Sequence, residues 1–176
     1  SMSDFQPISK YSIKTLEGIS FLTASLLGTL SHFVYEWSDD NFFVGLFFPV
    51  NESTWEHLKL VFLPILIVSV SEFFIGRIQR EDFPCIKLRS ALLGMLVIVV
   101  LFYTYTGVLG TVIDWLNIVI YFIGMSAAYL YSYRKLNLEK LLHCNPRLSL
   151  LLTFTLLILF MLFTVYPPSL GLFRAP

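Results

Sequence analysis

The chain has 176 residues, 56% of them hydrophobic and 16% aromatic, with a formal net charge of zero and a mean hydropathy of +0.75. So little charge over so many apolar residues excludes an ordinary soluble domain. There is no basic surface for nucleic acid, no phosphate-cradling glycine loop and no Cys-x-x-Cys pair, so those classes are set aside as well.

Ser1-Met2 reads as an expression remnant, and residues 5–13 suit a short interfacial lead-in. The first apolar run, residues 16–37, follows Lys10 and Lys14 as a secretory signal would. It ends on His32-Phe33-Val34-Tyr35-Glu36 with no small-residue cleavage site, so it is predicted to be a retained span. Residues 42–50 are too few to cross a bilayer and too apolar for a solvated loop, which predicts a re-entrant or interfacial segment. Four further runs, 58–76, 88–110, 115–133 and 148–166, each approach the roughly 20 apolar residues a span needs. Pro64 should kink the first of these by freeing the carbonyl of Leu60. Gly107 and Gly110 mark a tight hairpin between the next two, and Tyr166-Pro167-Pro168 forces an extended exit from the last. The expected fold is all-α: a polytopic helical membrane bundle of five transmembrane helices plus the segment at 42–50, as a single integral membrane domain, 1–176.

Of the 12 basic residues, all but Lys59 and Arg174 fall before the first run or in the second and fourth connections. This sorting predicts a multi-pass protein with a cytoplasmic amino terminus and an extracytoplasmic carboxyl terminus. Cys85 and Cys144 then lie in cytoplasmic connections and are expected as reduced, separate thiols.

Polar residues inside spans should face other helices. On the first run Ser25, Gly28, Thr29, His32 and Glu36 recur at steps of three and four, opposite Leu22, Leu26, Leu30, Phe33 and Val34. Asp114, Asn117, Tyr121, Gly124 and Ala128 make a second stripe, and Ala24 with Gly28 permits close helix contact. The segment Pro49-Val50-Asn51-Glu52-Ser53-Thr54-Trp55-Glu56-His57-Leu58-Lys59 carries a capping box, Ser53 to Glu56, with Asn51 as the rival cap. Asn51-Glu52-Ser53 also matches a glycosylation sequon but is more simply a cap. These features converge on an outward-opening pocket built from His32, Glu36, Asn51, Glu52, Glu56, His57, Lys59, Asp114 and Asn117, roofed by residues 42–50.

Three readings of that pocket stand. Acidic groups near Trp55, Tyr103, Tyr105 and Trp115 suit binding or transport of a small cationic or amphiphilic ligand. His32, Glu36, Glu56 and His57 suit a divalent transition metal such as zinc, with Asp114 or Glu52 as further ligand or general base; such a protein would be a membrane hydrolase acting on a lipid or lipid-linked substrate. Alternatively the groups pair among themselves, Lys59 with Glu56 or Glu52 and His32 with Glu36 or Asn117, in a structural or partner-binding protein. Membrane lipid, a membrane-protein partner or a second copy of the chain are the expected partners. Glu17 reads as a solvated helix-start charge and Glu72 as an interfacial pair with Arg77.

The stretch from Phe48 to Leu60, with His32-Phe33-Val34-Tyr35-Glu36-Trp37 before it and Tyr166 to Phe173 after it, resembles an uncharacterised family of small multi-span membrane proteins from Firmicutes-type bacteria. The likeness covers essentially the whole chain. It implies a bacterial plasma membrane location and no particular activity.

Overall fold

Four helices, α1, α3, α4 and α7, begin where a side chain takes up orphaned amides of the first turn. The computed structural model describes residues 9–176, so Ser1-Met2 and the first four residues of the lead-in expected at 5–13 lie outside the described residues. Ser12 caps α1 (Ile13–Ser31), accepting from the Thr15 amide at 3.2 Å. Asn41 caps α3 (Phe42–Phe47) through the amides of Phe43 and Val44, and Asn145 caps α7 (Pro146–Val165) in the same way. Between them stand α2 (Val34–Trp37), α4 (Thr54–Ile75), α5 (Phe83–Leu109) and α6 (Asp114–Leu136), and a 3-10 turn (Gly171–Phe173) follows α7. No strand occurs among the described residues.

Four helices, α4 to α7, are long and apolar enough to cross a membrane. The remaining long helix, α1, has 19 residues and so extends about 28 Å, but Lys14, Glu17 and a run of serines and threonines keep it below that apolarity. It also ends sooner than the expected 16–37. Ser31 bonds back to the carbonyl of Leu27 at 2.6 Å, and the Phe33 amide reaches only to Leu30, tightening the last turn. The chain restarts as the separate turn α2 and reverses at Asp39 and Asp40, both at φ +56, a conformation that aspartate tolerates better than most residues.

At the centre lies α4, with 14 of its 22 residues buried. It runs through Pro64 as one helix, packed by α1 and α5, with α7 touching one edge. Of the predicted stripe on α1, Ser25 and Gly28 are buried and Thr29 is exposed; Ala24 is buried beside them, and Leu22, Leu26 and Leu30 are exposed. A Cβ at Gly28 would collide with the Leu60 carbonyl and the Tyr121 hydroxyl, so this glycine sets the meeting of α1, α4 and α6. The carbonyl that Pro64 leaves free is thus covered by Tyr121, whose hydroxyl lies 3.5 Å from it and donates to Ser25 O at 3.0 Å. As expected, α5 and α6 form a hairpin, turning through Gly110 at φ +70. By contrast α7 buries only Phe160 fully, against Trp55 and Phe62.

The connections at the basic end are locked together. Arg80 donates from Nε and Nη2 to both carboxylate oxygens of Asp82 at 2.8 Å, and from Nη1 to the carbonyls of Leu136 and Leu138. Asp82 also accepts from the Leu142 amide at 2.8 Å. Cys85 and Cys144, expected as separate thiols, are instead joined by a disulfide with their Cα atoms 6.6 Å apart. The first turn of α5 and the segment before α7, 59 residues apart in sequence, are brought together by that Arg80–Asp82 lock, which spacing alone could not reveal.

Candidate metal centre

The end of the bundle away from the basic connections carries the pocket residues. Ser53 caps α4 as predicted, its hydroxyl accepting from the Glu56 amide at 3.2 Å. The reciprocal half of the capping box is not made, because Asn51 Oδ1 takes the Ser53 amide at 2.8 Å. Freed from capping, Glu56 turns into the bundle, and Glu52, just ahead of the cap, remains at the surface. His57, in the first turns of α4, points toward the end of α1. His32 is the residue that closes α1.

There the two imidazoles stack with ring planes 11° apart, and their Nε2 atoms stand 3.2 Å from each other. Glu52 completes the group: one carboxylate oxygen is 3.0 Å from His57 Nε2 and the other 3.8 Å from His32 Nε2. One nitrogen or oxygen from each residue lies within 4.8 Å of the others. Two ligands each roughly 2.0–2.1 Å from a tetrahedral zinc are themselves about 3.3 Å apart, so the imidazole pair already has the spacing of two coordination sites. Two neutral rings meeting Nε2 to Nε2 can make only one hydrogen bond between them, and only if their tautomers differ. His32 Nδ1 is buried without a partner, so this ring is not an internally satisfied structural histidine. The carboxylate is 65% exposed, which leaves the group open to water on one side.

The remaining predicted residues lie elsewhere. Glu36, expected to share the stripe with His32, rides on α2 beyond the break in α1 and is exposed. Glu56 forms an ion pair with Lys59 at 2.6 Å, with side-chain exposures of 3% and 0%. Thr164 on α7 donates to Glu56 at 2.8 Å and accepts from Lys59, which also donates to Gly45 O at 3.0 Å. The pair therefore fastens α3 and α7 onto α4, as in the structural reading, with Glu56 Oε2 held by the charge of Lys59 and by no directed hydrogen bond. The predicted metal set of His32, Glu36, Glu56 and His57 is accordingly corrected to His32, Glu52 and His57. Asp114 sits exposed at the start of α6, and Asn117 accepts from the Tyr105 hydroxyl. Trp55 is packed among Phe160, Phe163 and Phe173, and Trp115 is exposed.

A second buried group escaped the sequence reading. Glu17, Glu72 and Lys87, from α1, α4 and α5, meet near the basic end with side-chain exposures of 3%, 1% and 7%. Glu17 is thus not solvated, and Glu72 pairs with Lys87 at 2.7 Å rather than with Arg77. Extending the α1 stripe one and two turns toward its start, through Ser20 to Glu17, was the signal that could have found it.

The model of a family of unknown function (DUF6512) matches residues 3–176, and the chain belongs to that family. No curated protein and no solved structure matches it.

Proposed function

We propose that this member of a family without an assigned activity is a bacterial plasma membrane protein that binds a divalent transition metal ion on its extracytoplasmic face, through His32, His57 and Glu52. The observation that carries the proposal is the 3.2 Å approach of the two imidazole Nε2 atoms with a carboxylate bridging toward both. Two imidazoles and one carboxylate suit zinc or a neighbouring first-row metal, and three protein ligands leave a position for water or an exchanging ligand. Hydrolysis is not part of the proposal: of the two carboxylates named as general base, Glu52 belongs to the metal group itself and Asp114 is exposed at the start of α6.

The orientation follows from the charge sorting, which puts the basic connections in the cytoplasm and the histidines outside. In this reading α1 is a fifth span. Its serines and Glu17 face the bundle, and Ile19, Leu22, Leu26 and Leu30 cover the lipid side. A resemblance to plasma membrane proteins of Firmicutes-type bacteria supports the location.

Titration of the purified protein with zinc, cobalt or manganese, followed by calorimetry and thermal melting, tests the assignment. One ion per chain and a raised melting temperature are expected, since a ligand that binds only the folded state stabilises by about 2.7 kcal/mol at 100 times its Kd. A folded His32→Ala/His57→Ala variant that responds as the parent does would refute it.

A further inference from the structure

The Glu17–Glu72–Lys87 group contains two carboxylates and one ammonium, and its donors can be counted. Lys87 has three N–H bonds. Its directed hydrogen bonds go to Glu17 Oε1 at 2.9 Å, Glu17 Oε2 at 3.1 Å and Ser132 Oγ at 2.8 Å. Ser20 donates to Glu72 Oε1 at 2.9 Å. Glu72 Oε2, although 2.7 Å from Lys87 Nζ, receives no directed hydrogen bond and has no exposed surface. The other polar groups close to the site do not make up the difference. Tyr129 on α6, over whose ring Lys87 Nζ sits at 5.2 Å, has a buried hydroxyl without a partner, and so has Ser69 on α4. No further cation faces the site from α1, α4, α5 or α6.

The group is therefore one hydrogen and one positive charge short. In a dry interior two carboxylates facing a single ammonium do not both stay ionised, because the surplus charge has neither solvent nor counter-ion. We propose that this cluster is a proton-binding site, in which Glu17 and Glu72 share one exchangeable proton at neutral pH. The proton is assigned to Glu72, whose Oε2 receives no directed hydrogen bond, whereas both oxygens of Glu17 accept from Lys87. Such a site supplies a buried acid–base group at the basic end of α1 and α4, the same two helices that carry His32 and His57 at the other end. It stands independently of the metal assignment, since none of its residues touches the histidines.

Infrared spectroscopy of the reconstituted full chain reads this directly. The parent protein at neutral pH should show a protonated-carboxyl C=O band that shifts in heavy water. Glu72→Gln, which imitates the protonated side chain and leaves Glu17 balanced by Lys87, should lose the band and melt no lower than the parent. Glu17→Gln should lose it as well, and Glu56→Gln should retain it. Absence of the band from the parent would overturn the proposal, as would its survival in both Glu72→Gln and Glu17→Gln. Its disappearance on adding sodium or potassium at fixed pH would replace the proton with a metal cation and overturn it too. A large drop in the melting temperature of Glu72→Gln would mark an ordinary ion-pair network instead.

Discussion

Lys59 and Glu56, one turn apart on α4, form an ion pair of 2.6 Å in which the lysine side chain has no exposed surface. An ammonium in that position is tolerated only because carboxylate, threonine hydroxyl and backbone carbonyl all accept from it. Lys59→Met should therefore leave Glu56 as an uncompensated buried charge and cost about 3–5 kcal/mol, read as a lowered melting temperature. It should also release the α3 segment, which Lys59 holds through Gly45 O, and so expose residues 42–50 to limited proteolysis. Glu56→Gln/Lys59→Met should recover part of the loss. A Lys59→Met protein that melts with the parent would show that the pair does not fasten α3 and α7.

The same geometry separates Glu52 from the other carboxylates. Glu52→Gln removes an anionic ligand and should weaken metal binding about tenfold or more, since even outer-shell partners of ligating histidines are worth that much. Glu36→Gln and Asp114→Asn should bind like the parent, being exposed on α2 and at the start of α6. Calorimetric titration of the three variants with one metal decides it. Equal loss in Glu36→Gln would mean that the turn at 32–36 closes over the ion and that Glu36 is a ligand after all.

Acid should weaken the clamp at the basic end. Burial works to raise the Asp82 carboxyl, but the two hydrogen bonds from Arg80, the Leu142 amide and the Arg80 charge outweigh it and hold the group below the ordinary aspartate range. A depressed folded-state value means stability that is complete above the unfolded value, about 3.9, and lost as pH falls through the folded one. Melting temperature should then decline below about pH 4. Asp82→Asn should start lower at neutral pH and lack that component of the decline. An unchanged acid slope in Asp82→Asn would place the sensitivity in other groups.

Much of the architecture was legible because a bilayer leaves few choices. Long apolar runs become helices, and the serine and glycine faces of α1 and α6 turn inward because lipid offers polar atoms no partner. Gly28 and Pro64 could each be assigned a consequence in advance, although their meeting through Tyr121 depends on tertiary contact. The site was half legible. His32 and His57 were correctly placed at one end, but helical periodicity was carried across Ser31–Phe33, where the ladder breaks, and so Glu36 was set beside His32. Glu56 followed the structural reading, pairing with Lys59, and not the metal one: Asn51 took over the amide that Glu56 was expected to cap, and the glutamate turned inward. Glu17 was read as solvated and Glu72 as interfacial because charges near helix ends usually are, and only the arrival of Lys87 from α5 compensates their burial.

The disulfide offers a direct test of orientation. Cys85 and Cys144 lie within bridging range, their Cα atoms 6.6 Å apart, on connections that the basic residues assign to the cytoplasm. A compartment held reducing by thiol buffers keeps such a pair open, whereas an oxidising exterior closes it. With the basic connections in the cytoplasm, rapid alkylation of intact cells traps both cysteines as free thiols and the bond of the structure closes only under an oxidant, with faster migration in a non-reducing gel; thiols already blocked in untreated cells are the outcome that agrees with the disulfide of the structure. The closed form should resist unfolding better than Cys85→Ser, by about 2–4 kcal/mol for a loop of this order. Blocked thiols in untreated cells would reverse the topology, putting the basic connections outside and the His32–His57 pair in the cytoplasm, where the metal would have to be drawn from the intracellular pool.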